Sequence, residues 1–148
     1  THVLHIIREL LSFEPSSTGT DIAQALQYFA NAQKRHCTAF LISDFIGAGN
    51  MYQPLMIASN RHEVNAIQIY DRREAELPNI GLVKFHDAET GNDLWVDTAI
   101  ASVRNNYAQA WRDNQNEMQQ LFTRTGVDHV SVRTDEDYVK ALMHLFKC

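Results

Sequence analysis

Cysteine is nearly absent from the 148-residue sequence, which holds only Cys37 and Cys148. One sits in an apolar run and the other is the last residue. No disulfide framework can be drawn from them, and a reducing compartment, the cytoplasm by default, is expected. Long apolar runs are also missing. No stretch of about 18 apolar residues and no basic-then-apolar segment occurs, so neither a membrane span nor a signal peptide is expected.

A surplus of basic charge is the third absence, since 13 Lys+Arg stand against 18 Asp+Glu for a formal charge of -5. Proteins that neutralise phosphates carry a basic stripe. The densest basic cluster, Arg72-Arg73, is answered at once by Glu74 and Glu76. It reads as a solvated loop, and nucleic acid is not an expected partner. What remains is an ordinary globular composition, 45% apolar over 148 residues. A chain of roughly 150 residues buries about 68–70% of its unfolded surface, enough for one real core.

Apolar residues at Val3, Leu4, Ile6, Ile7, Leu10 and Leu11 predict a helix from His2 to Phe13, stopped by Glu14-Pro15. A second stripe runs through Ile22, Ala25, Leu26, Phe29 and Ala30, with Thr18-x-x-Asp21 or Thr20 as its cap. Cys37 to Ile42 is a short continuous apolar run, read as a strand buried on both faces. A helix from Met51 to Asn60 and a strand from Val64 to Tyr70 complete a βαβ unit, which demands a parallel sheet. Residues 81–97 read as a β-hairpin. A long helix follows from Thr98 to a Gly126 C-cap, then a strand from Val127 to Val132. Asp135-Glu136-Asp137 opens a last helix whose buried face is Tyr138, Leu142, Leu145 and Phe146. Trp95, Tyr107 and Trp111 read as core. The fold class is α/β, a doubly wound, mainly parallel sheet, yet two helices precede its first strand.

Ligands of open α/β sheets sit beyond the carboxyl ends of the strands, which singles out Ser43, Asp44, Asp71 and Thr134-Asp135. Asp44 is the strongest candidate, because a carboxylate at a strand end suits a hard cation. Capping of its own loop is the competing account, as helix capping is for Thr18, Thr20 and Asp21. Gly47-Ala48-Gly49, with Asp71 ending the next strand, mimics a dinucleotide fingerprint, but Tyr52 stands where a third glycine is needed. The seven His residues have no metal-ligand spacing and read as helix-surface residues. No Gly-x-Ser-x-Gly elbow is present, and Cys37 reads as an inert buried thiol within its strand.

Taken in order, Gly19-Thr20-Asp21-Ile22-Ala23-Gln24-Ala25-Leu26 and then Phe40-Leu41-Ile42-Ser43-Asp44-Phe45 resemble the second half of a von Willebrand factor A-type (vWA) domain. The particular bacterial branch that the sequence resembles is the one called domain of unknown function 58. Asp71-Arg72-Arg73-Glu74-Ala75-Glu76-Leu77-Pro78, Gly81, Asp87-x-Glu89-Thr90-Gly91 and Val96-Asp97-Thr98 continue the resemblance. It implies a three-layer, vWA or Rossmann-like sheet, truncated at its N-terminal strands and carrying a β-hairpin insertion. Residues 1–148 would then be the C-terminal portion of that domain. It further implies a Mg²⁺-dependent adhesion site in which Thr20 and Asp44 are two ligands. The Asp-x-Ser-x-Ser motif that supplies the others does not occur in this sequence, so Mg²⁺ is expected in the intact protein and not in this chain alone.

The resemblance implies a non-enzymatic protein-interaction module, with no catalytic or cofactor-binding residues. Its relatives are associated with MoxR-type AAA+ ATPases in assembly or maturation of other proteins. The alternative is a small-molecule or nucleotide-binding α/β enzyme using Asp44. A missing sheet neighbour would leave the strand at residues 37–42 with an open edge, from which self-association is expected.

Overall fold

The computed structural model describes residues 2–14, 20–47, 49–86 and 91–145, without the side chain of His144. The elements are α1 (His2–Ser12), α2 (Ile22–Ala32), β1 (Thr38–Ser43), α3 (Tyr52–Ser59), β2 (Glu63–Tyr70), α4 (Arg72–Ala75), β3 (Leu82–His86), β4 (Asp93–Asp97), α5 (Ala101–Thr125), β5 (Asp128–Arg133) and α6 (Tyr138–Leu145). The architecture is α/β. One sheet has three parallel strands in the order β1-β2-β5, and the hairpin β3-β4 forms a separate antiparallel pair.

Register decides what each strand residue faces. Ala39 lies beside Val64 and Leu41 beside Ala66, so these four share one face of the sheet. Against that face pack Ile22 and Leu26 of α2, Leu55 and Ala58 of α3, and Met118 and Phe122 of α5, forming the core. Phe45, just beyond β1, meets Phe122 edge-on with ring centroids 5.4 Å apart, a favourable aromatic geometry. Both crossovers, β1-α3-β2 and β2-α5-β5, therefore bring their helices to this face. Gly126 ends α5 in the left-handed region at φ 67°, where a side chain would be strained.

Several expectations change. β1 starts at Thr38 and alternates between exposed and half-buried positions. It is an edge strand, not one buried on both faces, because β2 is its single partner among the described residues. Cys37 lies before the strand and is half-buried. Asp21, not Thr20, caps α2, accepting from the Gln24 N–H at 2.8 Å; the expectation at Thr18 lies outside the described residues. The expected loop at Arg72-Arg73 is a helical turn, α4, closed by a capping box of Asp71 and Glu74. α5 begins at Ala101 rather than Thr98, whose side chain is buried and donates to the Gly81 carbonyl at 2.7 Å.

Trp95 is 61% exposed, since among the described residues no further layer covers that part of the two-stranded hairpin. Tyr138 is exposed as well, while Leu142 and Leu145 are half-buried; Phe146 is outside the described residues. His62 is 4% exposed and His129 lies on β5, so these two are not helix-surface residues. α1 buries none of its residues, and its apolar stripe faces outward. No helix among the described residues is long and apolar enough to cross a membrane.

Candidate functional site

Parallel strands end together, so β1, β2 and β5 deliver Ser43-Asp44, Tyr70-Asp71 and Arg133-Thr134-Asp135 to one edge of the sheet. Asp44 stands on the loop after β1, exposed. Its Oδ1 accepts from the Ile46 N–H at 3.0 Å, and Ser43 Oγ accepts from the Phe45 N–H at 3.0 Å. These two short turns fix the backbone as it leaves the strand, with Phe45 at φ 59°. Loop capping by Asp44 is thus real, and it occupies one carboxylate oxygen.

Beneath this loop lies Gln68, a residue the sequence reading passed over. It is 1% exposed, donates to the Asp44 carbonyl at 3.4 Å and accepts from Ser131 Oγ at 2.8 Å. An amide buried among apolar neighbours is tolerated when both its ends are engaged, and here those bonds link the ends of β1 and β5 through β2. A polar residue within an apolar strand run, one of two there with Asn65, was the available signal.

Asp71 and Thr134 are brought together directly, with Thr134 Oγ1 donating to Asp71 Oδ2 at 3.1 Å. The Thr134 N–H also donates to the Tyr70 carbonyl at 3.0 Å. Asp135 is taken up by Arg133, whose hydrogen bond holds the carboxyl below its ordinary range, while Arg133 also reaches Glu136 at 2.7 Å. Tyr107 on α5 donates to the Arg73 carbonyl at 3.3 Å; burial, then the Glu74 charge, pushes its phenol upward. Thr20 is exposed and immediately precedes the Asp21 cap; among the described residues no hydrogen bond joins it to Asp44. No group of three or more His, Cys, Asp or Glu side chains among the described residues is arranged to hold a metal ion.

A cleft of about 520 Å³ opens beside the Asp44 loop, between Phe45, Gly47, Gly49 and Met51 on one side and Asn114 and Glu117 of α5 on the other. Glu117 makes this lining unsuited to phosphate, and Ala48 is outside the described residues. At the opposite end of the strands, Cys37 Sγ lies 3.7 Å from Nδ1 of buried His62, whose Nε2 has no hydrogen-bond partner among the described residues. The Phe29 ring is 4.7 Å from the imidazole.

Fold and site define a parallel-sheet α/β protein that presents carboxylates where its strands end. Residues 1–117 match the family described as "Protein of unknown function DUF58", and the chain belongs to that family. An uncharacterized protein of Mycobacterium avium is 33% identical over 135 residues, covering 90% of this chain and 78% of the relative. Uncharacterized proteins of Mycobacterium tuberculosis and Mycobacterium bovis are 33% identical over 127 residues, 84% of this chain. The chain spans 39% of the length of those two relatives. No solved structure matches it.

Proposed function

We propose that this chain is a non-enzymatic protein-interaction module, part of a vWA-like domain of doubly wound, three-layer form. It acts with a MoxR-type AAA+ ATPase in the assembly or maturation of other proteins. One observation carries the reading: Asp44 is an exposed carboxylate on the loop after a parallel strand, with Oδ2 outside the hydrogen bonds of its turn. That is the end of an α/β sheet where ligands bind.

Asp44 and Thr20 are oxygen donors of the kind Mg²⁺ takes, and Mg²⁺ is commonly held by one or two carboxylates with several waters. When bound, the ion would supply an open coordination position for a carboxylate of the partner protein. Thr20 and Asp44 are only part of the donor set that this reading requires. Asp44 therefore acts here as a positioned anion, held by Ile46 and by the Gln68 contact to its carbonyl.

A second reading, a small-molecule site of an α/β enzyme using Asp44, draws on the cleft beside the loop. Binding to a MoxR-type ATPase of the same organism separates the two. Saturable binding of this chain to the immobilised ATPase, lost in Asp44→Ala, supports the interaction module. Absence of saturable binding, or binding indifferent to Asp44→Ala, overturns it.

A further inference from the structure

Cys37 and His62 stand side by side where the parallel sheet begins, and the Glu63 N–H donates to the Cys37 carbonyl at 3.0 Å. Cys37 Sγ lies 3.7 Å from His62 Nδ1, within hydrogen-bond range for sulfur. Cys37 is half-buried, and His62 is 4% exposed. Two contacts hold the imidazole in place. The His62 backbone N–H donates to the Ala58 carbonyl at 2.9 Å, and the Phe29 ring packs on the imidazole at 4.7 Å. Buried polar groups normally find partners. Nε2 has none among the described residues, which leaves the thiol as the hydrogen-bond partner of the ring.

A thiol beside an imidazole is the arrangement that makes cysteine a nucleophile, because the nitrogen takes the proton and the thiolate is the reacting species. A structural cysteine has apolar surroundings instead. The charges near the pair select the reagent. Lys34, Arg35 and Arg61 are exposed and close to it in sequence, while the acidic Glu63 accepts from the Thr38 hydroxyl at 2.9 Å. A local excess of positive charge draws anions.

We propose that Cys37 is a thiol-modification site, with His62 as its proton acceptor and an anionic low-molecular-weight disulfide as its reagent. The Cys37 thiol passes its proton to His62 Nδ1. The thiolate attacks one sulfur of the disulfide, whose S–S bond breaks as the new S–S bond to Cys37 forms. The other half leaves as a thiolate and takes the proton back from His62. Cys37 is thereby oxidised to a mixed disulfide and half of the reagent is reduced to a thiol, so no further oxidant is needed.

Oxidised glutathione is the probe. The rate at Cys37 is read by peptide mass spectrometry on the full 148-residue chain at neutral pH, folded and in urea, with Cys148 scored on its own peptide. Half-burial alone would slow the folded reaction. The pair predicts the reverse, a folded rate about tenfold above the unfolded one. His62→Gln keeps a hydrogen-bonding group but takes no proton, and should bring the folded rate down to the unfolded one or below, with circular dichroism confirming the fold. Lys34→Glu with Arg35→Glu should shift the preference from oxidised glutathione toward cystamine, a cationic disulfide. A wild-type Cys37 that reacts no faster folded than unfolded overturns the proposal, and that comparison needs no variant to fold. So does a folded His62→Gln chain that reacts as fast as the wild type, or a charge reversal that leaves the preference between the two disulfides unchanged.

Discussion

Asp71 holds two structures with one carboxylate: Oδ1 accepts from the Arg73 N–H at 2.7 Å to start α4, and Oδ2 accepts from Thr134 Oγ1 at 3.1 Å beyond β5. With the Glu74 side chain accepting from the Asp71 N–H at 3.0 Å, the turn after β2 and the exit of β5 are tied together.

Asp71→Ala removes the cap and the link to Thr134. A lost N-cap costs about 1 kcal/mol and a lost hydrogen bond about 0.5–1.5 kcal/mol, so a loss of about 2 kcal/mol in urea unfolding is expected. Thr134→Val removes only the second contact and should cost about 1 kcal/mol or less. Equal effects of the two substitutions would show that the cap contributes nothing.

Phe122 and Trp95 separate burial from size. Phe122 is 1% exposed and packs on Phe45 and His129, so Phe122→Ala should destabilise by about 3–5 kcal/mol. Trp95, the larger side chain, is 61% exposed, and Trp95→Ala should change stability by less than about 0.5 kcal/mol. Denaturant midpoints of the two variants measure this, and a costly Trp95→Ala would mean that the hairpin face is covered in solution.

His129 gives the chain a pH dependence of known sign. Burial against Phe122 lowers its tendency to ionise, with the Asp128 charge opposing. Between the lowered folded value and the ordinary 6.5, the unfolded chain binds more protons than the folded one, so stability rises with pH in that window. The contribution is fully present above 6.5 and is lost as pH falls below it. Urea titrations from pH 7.5 to pH 5 should show the loss in the wild type and a flatter profile in His129→Phe.

Element order was legible because periodicity is local. The runs that became β1 and β2, the hairpin around Gly91 and the Gly126 cap each carry their own signal. Neighbours are not local, which is why the run at Cys37 to Ile42 could not reveal that its strand has, among the described residues, one partner strand instead of two. Trp95 misled for the same reason, since alternation along a hairpin does not say whether a layer covers it. α4 was too short for periodicity, although Asp71-x-x-Glu74 spelled out its capping box. At the candidate site, strand-end logic located Asp44 and Asp71. It could not find Thr134 as Asp71's partner or Gln68 under the Asp44 loop, because those contacts join residues 63 and 24 positions apart.

In the proposed function, Asp44 and Thr20 are two ligands of a Mg²⁺ site of which these residues form only a part. Calorimetric titration of the 148-residue chain with Mg²⁺ tests it most directly. Two oxygen side chains are too few for tight binding, so no stoichiometric heat at micromolar Mg²⁺ is predicted. One Mg²⁺ bound per chain with micromolar affinity would contradict it.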